Sequence, residues 1–114
     1  MPMDGAGIFE NKCAQGIRAT FEQLLKDGHS LYTAADRILA AHASKLHDPD
    51  EGQAIYFALA ALQLDHHAIT PQIRKRVLTM INSGEALARW ANSPLHAKRA
   101  AVEQELRARL VALG

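Results

Sequence analysis

Hydrophobic residues recur at helical spacing through most of the chain, and nowhere do they alternate as a half-buried strand requires. Cys13, Ile17, Phe21, Leu24 and Leu25 fall on one face, after Asn11 and before Gly28, a residue that tolerates the left-handed turn at a helix end. The spacing predicts a first helix over this stretch. Ser30 opens a second, in which Leu31, Ala35, Ile38, Leu39, His42 and Leu46 share a stripe, and Gly28-His29 is short enough to be a corner between the two. From Ala54 to Leu62 the chain is apolar nearly all round, as in a helix buried on every side, so a central helix is expected at about 49–65. Its alanines, and Gly52, permit close approach of neighbours. Ile73, Val77, Met80 and Ile81 give a fourth helix its inward face, with Arg74, Lys75 and Arg76 mostly outward. Asn82-Ser83-Gly84 interrupts it, and Ser83 is placed to cap a short fifth helix holding Leu87 and Trp90. Leu95, Val102, Leu106, Leu110 and Leu113 line one side of the last helix. Glu103 with Arg107, and Glu105 with Arg109, are i,i+4 pairs that describe its solvated face.

Helix starts are legible for a separate reason. Asp48-Pro49, Thr70-Pro71 and Ser93-Pro94 each set a proline one residue after a side chain able to cap. Proline at the first helical position loses no hydrogen bond, while the preceding oxygen accepts from a free amide further in. Helices are therefore expected to begin near Pro49, Pro71 and Pro94. The fold class that follows is all-α: a compact bundle of five to six short helices in a single domain, 1–114, with 1–10 an irregular N-terminal arm.

Composition narrows the function classes. The chain has 114 residues, 48% of them hydrophobic, enough for one core without staples. Its one cysteine, Cys13, allows neither an internal disulfide nor a thiolate-rich zinc site, and its inward position reads as core packing. Thirteen Lys and Arg against 12 Asp and Glu give a net charge of +1, so no strong field selects a partner. The opening Met1-Pro2-Met3-Asp4-Gly5 lacks the basic and apolar regions of a signal peptide, and no apolar run is of membrane-spanning length. A cytoplasmic location is the expectation.

Six histidines raise the question of a metal. His47-Asp48 and Asp65-His66-His67 flank the central helix, but His66 and His67 are adjacent and point about 100° apart, whereas helical ligands are spaced three or four residues apart. His66 continues the face of Ile55, Leu59 and Leu62 and is expected to close the core there. His42, on an apolar stripe, needs a hydrogen-bond partner, for which Tyr32, Tyr56 or a backbone carbonyl would serve. No nucleophile elbow, phosphate loop, dinucleotide fingerprint or metalloprotease motif occurs. No catalytic residue, cofactor site or metal ligand is therefore assigned. Arg74, Lys75, Arg76, Lys98, Arg99, Arg107 and Arg109 would make a basic face, but acids interrupt it, which disfavours nucleic acid. Trp90 and Tyr56 are read as core residues in preference to partner anchors.

Gly5-Ala6-Gly7-Ile8-Phe9-Glu10-Asn11 resembles the opening signature of a small bacterial family of uncharacterised helical domains, in which G-x-G-x-F, an acid and Asn or Asp lead into an amphipathic helix. Asp50-Glu51-Gly52-Gln53-Ala54 resembles that family's acidic start to an alanine-rich central helix, and Glu85-Ala86-Leu87-Ala88-Arg89-Trp90 its late tryptophan segment. The chain departs from the pattern in lacking the tryptophan that often precedes the glycines. On this resemblance Phe9 plugs the bundle, Gly5 and Gly7 let the arm bend, and Asn11 caps the first helix. Proteins of this sort often sit beside bacterial toxins, so the resemblance implies an immunity or antitoxin-like protein. The expected function is a non-enzymatic module that occludes a protein partner such as a cognate toxin, with Tyr32, Asp65, His66 and His67 as the interface. A histidine-dependent metal protein or small hydrolase, and a nucleic-acid-binding regulator, are the alternatives. Oligomeric state is not legible.

Overall fold

In the computed structural model, which describes residues 6–113, α1 (Lys12–Lys26) starts where the Asn11 side chain accepts from the Ala14 N–H at 2.8 Å. It ends at Gly28, whose φ of 96° lets the N–H groups of Gly28 and His29 reach back to the carbonyls of Leu25 and Leu24. Ser30 then caps α2 (Leu31–Ala41), accepting from the Thr33 N–H at 3.0 Å. Phe9 packs half-buried against the core with the Arg18 guanidinium 4.0 Å from its ring centre. Gly5, assigned a bend in the arm, lies outside the described residues.

The expected stripe through Leu46 is cut short. α2 stops at Ala41, His42 is its C-cap, and a 3-10 turn follows over Ala43–Lys45. A helix continued through Leu46 would leave His47 alone to reverse the chain before the extended backbone that a following proline demands of Asp48. The earlier turn makes that reversal, and His42 settles half-buried with Nδ1 3.0 Å from the Ile38 carbonyl.

α3 (Pro49–Asp65) begins as predicted, with the Asp48 carboxylate accepting from the amides of Asp50 and Glu51 at 2.9 and 2.8 Å. Every residue from Gly52 to Leu64 is buried. α1, α2, α4 (Pro71–Asn82) and α6 (His96–Leu113) pack around it, and α5 (Glu85–Ala88) closes against α4 and α6. The protein is 74% helical, compact, and without a strand among the described residues. No helix among them is long and apolar enough to cross a membrane.

Gly52 is where the 3-10 turn presses on α3. A Cβ there would collide with the Leu46 carbonyl group, whose carbon would lie only 3.1 Å away. Helix propensity alone favours Gly52→Ala by about 1 kcal/mol. The collision is with backbone, so the variant is expected to lose about 1–3 kcal/mol in urea denaturation; a stabilised variant would show that the turn can retreat freely.

Three helix ends depart from expectation. Thr70 makes no cap with its side chain, because its hydroxyl is taken by the Gln63 amide at 2.8 Å. α6 begins at His96, two residues beyond Pro94, with Ser93 Oγ accepting from the Leu95 N–H at 3.0 Å. Ser83 is the C-cap of α4 and not the cap of α5, whose N-cap is Gly84 at φ 81°; the Ser83 hydroxyl accepts from the Glu85 N–H at 3.3 Å.

The inward face of α6 also differs. It is Arg99, Glu103, Leu106 and Leu110, while Val102 is half-buried and Leu113 40% exposed. Glu103 therefore does not belong to a solvated face. It pairs with Arg99 at 3.0 Å, both about 98–99% enclosed, and Arg107 turns to Asn82 instead. The Arg99 carbon lies 5.1 Å from the Trp90 ring centre and 5.2 Å from that of Phe57, and its Nη1 donates to the Ala6 carbonyl at 3.1 Å. Trp90, 1% exposed, is a core residue as read.

Candidate binding surfaces

The last turn of α3 sets one end of the bundle. Gln63, fully buried, donates to the Leu31 carbonyl at 3.2 Å and to the Thr70 hydroxyl at 2.8 Å, and accepts from the Thr70 N–H at 2.9 Å. One amide thus ties the start of α2, the end of α3 and the start of α4. The end of α6 joins them, since Arg74 Nε donates to the Leu110 carbonyl at 3.1 Å and Arg109 reaches Asp65 at 2.9 Å.

Tyr32, Asp65, His66 and His67 are all carried to this end by those ties. Tyr32 is 48% exposed, and Asp65 stays largely in solvent while paired to Arg109. His66 does not close the core: α3 ends at Asp65, one residue before the apolar face would have turned it inward, and it stands exposed as the C-cap. His67 has φ 57°, the one non-glycine residue with positive φ among those described. It occupies the left-handed position that lets its N–H and that of Ala68 reach the carbonyls of Leu64 and Gln63. A depression of roughly 290 Å³ lies beside it, lined by Leu64, His67, Arg109, Ala112 and Leu113.

At the other end of α3, a smaller cleft of about 90 Å³ sits between the turn before α3, the end of α4 and α5. Arg76 and Arg89 stand on its rim. Each is engaged: Arg89 holds both oxygens of Asp50, at 2.8 and 3.0 Å, and Arg76 lies 3.4 Å from Glu85. The hydrogen bonds from Arg89 keep the Asp50 carboxyl below its ordinary pKa. Into the cleft wall is set Gln53, 2% exposed, whose Oε1 and Nε2 have no partner among the described residues. Nothing in the spacing singled out Gln53; the available signal was a polar residue inside a helix otherwise apolar all round.

The remaining chemistry-bearing groups are dispersed. Among the described residues no three His, Cys, Asp or Glu side chains converge as a metal site. Cys13 is half-buried, not fully inward, and burial, reinforced by Glu51, pushes its thiol pKa up. The basic face is divided: Arg99 is in the core, and Arg74, Arg76, Arg107 and Arg109 each have the partners described above. No known family model, curated protein or solved structure matches the chain.

Proposed function

We propose that this protein is a binding module that occludes a protein partner through the end of the bundle bearing Tyr32, Asp65, His66 and His67. The observation that carries the reading is the gathering there of large apolar side chains left in solvent. Tyr32 on the first turn of α2 is 48% exposed, and Val111 and Leu113 on the last turn of α6 are 50% and 40% exposed. An exposed tyrosine and exposed aliphatic side chains on helix turns at one end of the bundle, with Asp65, Arg109 and imidazoles on the same end, supply the apolar and polar groups from which protein interfaces are built.

The resemblance of the opening glycine motif, the start of α3 and the Trp90 segment to a bacterial family extends the proposal. On it, the protein is a cytoplasmic immunity protein and the partner a toxin encoded beside it. Co-expression of the two is expected to yield a stoichiometric complex. Combining Tyr32→Ala with Leu113→Asp should weaken it by about 2 kcal/mol or more, the scale of an interface hot spot. A toxin that stays lethal in the protein's presence, or a complex indifferent to both substitutions, would overturn the reading.

A further inference from the structure

The cleft at the opposite end of α3 carries a separate inference, which concerns movement. Gln53 lies in its wall, and its Oε1 and Nε2 each expose less than 1 Å² and have no partner among the described residues. Solvent in the cleft does not reach them, so the carboxamide is enclosed as well as unpaired. Buried side-chain polar atoms are nearly always hydrogen-bonded, because an enclosed donor or acceptor without a partner has given up water for nothing. Gln63, the other glutamine of α3, shows the ordinary outcome, with both its oxygen and its nitrogen bonded. A state in which the Gln53 amide meets water is favoured by that difference.

The elements that enclose the cleft with α3 are held unequally. The turn before α3 is fixed by Asp48, whose carboxylate accepts from the amides of Asp50 and Glu51 and whose carbonyl accepts from the Gly52 N–H at 2.8 Å. α4 is anchored by four buried side chains, Ile73, Val77, Met80 and Ile81. α5 is one turn long and has no side-chain cap bond at Gly84. It buries only the Ala86 methyl fully, with Leu87 half-buried and Glu85, Ala88 and Arg89 exposed. Its ties to the rest of the cleft are Arg76 to Glu85 at 3.4 Å and Arg89 to Asp50 at 2.8 Å, both between exposed side chains and therefore weak. Few buried apolar groups and solvent-exposed bonds are the marks of a segment that opens locally. Gly84, at φ 81°, gives it a hinge on one side, and Trp90, 1% exposed, a fixed anchor on the other.

We infer that residues 84–89 are a flap that lifts off Gln53, so that the protein exchanges between the closed state described above and a minor state in which the carboxamide is hydrated. Glu85, Ala86 and Arg89 line the same cleft as Gln53, so their departure opens it. The buried amide loosens the flap from within, while Arg76 and Arg89 hold it from outside. The device is a gate: the cleft is narrow and its wall amide enclosed while α5 is down, and both become accessible when it lifts.

The test is 15N relaxation dispersion on the full chain, read at the backbone amides of Glu85–Arg89 and at the Gln53 side-chain amide. Both sets are expected to report one exchange process on the microsecond-to-millisecond scale of lid motions, with a minor population of about 1% or more. Gln53→Met keeps the length of the side chain without donor or acceptor and should lower that population about tenfold, since closing then encloses no polar group. Arg89→Gln, at an exposed position, should raise it by roughly two- to fivefold through loss of the bonds to Asp50. Absence of exchange at Glu85–Arg89 would overturn the inference. Exchange confined to the Gln53 side chain would overturn it too, as a rotamer change without a flap. So would a population that Gln53→Met leaves unchanged or, should that variant not fold, one that Arg89→Gln leaves unchanged.

Discussion

Glu103→Ala is expected to destabilise the protein by about 3–5 kcal/mol, the range for removing one partner of a buried ion pair. The substitution leaves the Arg99 guanidinium enclosed, with the Ala6 carbonyl as its remaining hydrogen-bond acceptor and two aromatic rings for neighbours. Burial pushes the Glu103 carboxyl pKa up and that of Arg99 down, each against the pull of the other, so desolvation outweighs the attraction within the pair. That balance makes a second, opposite expectation. Replacing both residues together, Arg99→Met with Glu103→Leu, should be neutral or stabilising by about 1–4 kcal/mol, because no charge is then left in the core. Urea denaturation of Arg99→Met, Glu103→Leu and the double variant completes the cycle. A Glu103→Ala loss below about 1 kcal/mol would mean that water reaches the pair, as at a surface salt bridge.

Trp90→Ala is expected to cost about 3–5 kcal/mol as well, through the cavity left by a fully enclosed ring. Part of the loss is specific to its place beside Arg99, because an aromatic face attracts a desolvated cation by up to about 2 kcal/mol. Trp90→Phe keeps a face and should cost distinctly less than Trp90→Ala, whereas Trp90→Leu loses the face while retaining bulk. Circular dichroism followed through denaturation measures all three without relying on tryptophan emission. Equal stabilities for the Phe and Leu variants would remove the cation from the explanation and leave packing alone.

Helix starts could be read from the sequence because capping chemistry is local. Asn11, Ser30 and Asp48 each need only a free amide two or three residues onward, and they find it. The central helix was legible for a different reason: a segment apolar all round has no solvent face to keep. The errors arise where tertiary surroundings decide. Glu103 is equally spaced from Arg99 and Arg107, and only the presence of Trp90 and Phe57 over Arg99 selects the buried partner. Thr70 had the form of a cap, but a glutamine seven residues earlier claimed its hydroxyl. His66 followed the periodicity of a helix that had already ended. The residues Tyr32, Asp65, His66 and His67 do reach one end of the bundle, through ties made by Gln63 that no spacing rule contains. That Gln53 is buried without a partner was illegible because spacing along the chain says nothing of what its neighbours offer it.

The contact between Arg99 and the Ala6 carbonyl spans 93 residues. Translation makes the carbonyl early and the guanidinium, with its partner Glu103, after the other buried polar side chains, so the growing chain can assemble α1 through α4 from nearer contacts while that carbonyl waits. Contacts of such separation form late because the intervening chain must first be ordered. Until α6 leaves the ribosome, the face of Phe57 meant for Arg99 is open to water. In this interval a nascent chain of this protein presents that apolar face to chaperones and to aggregation.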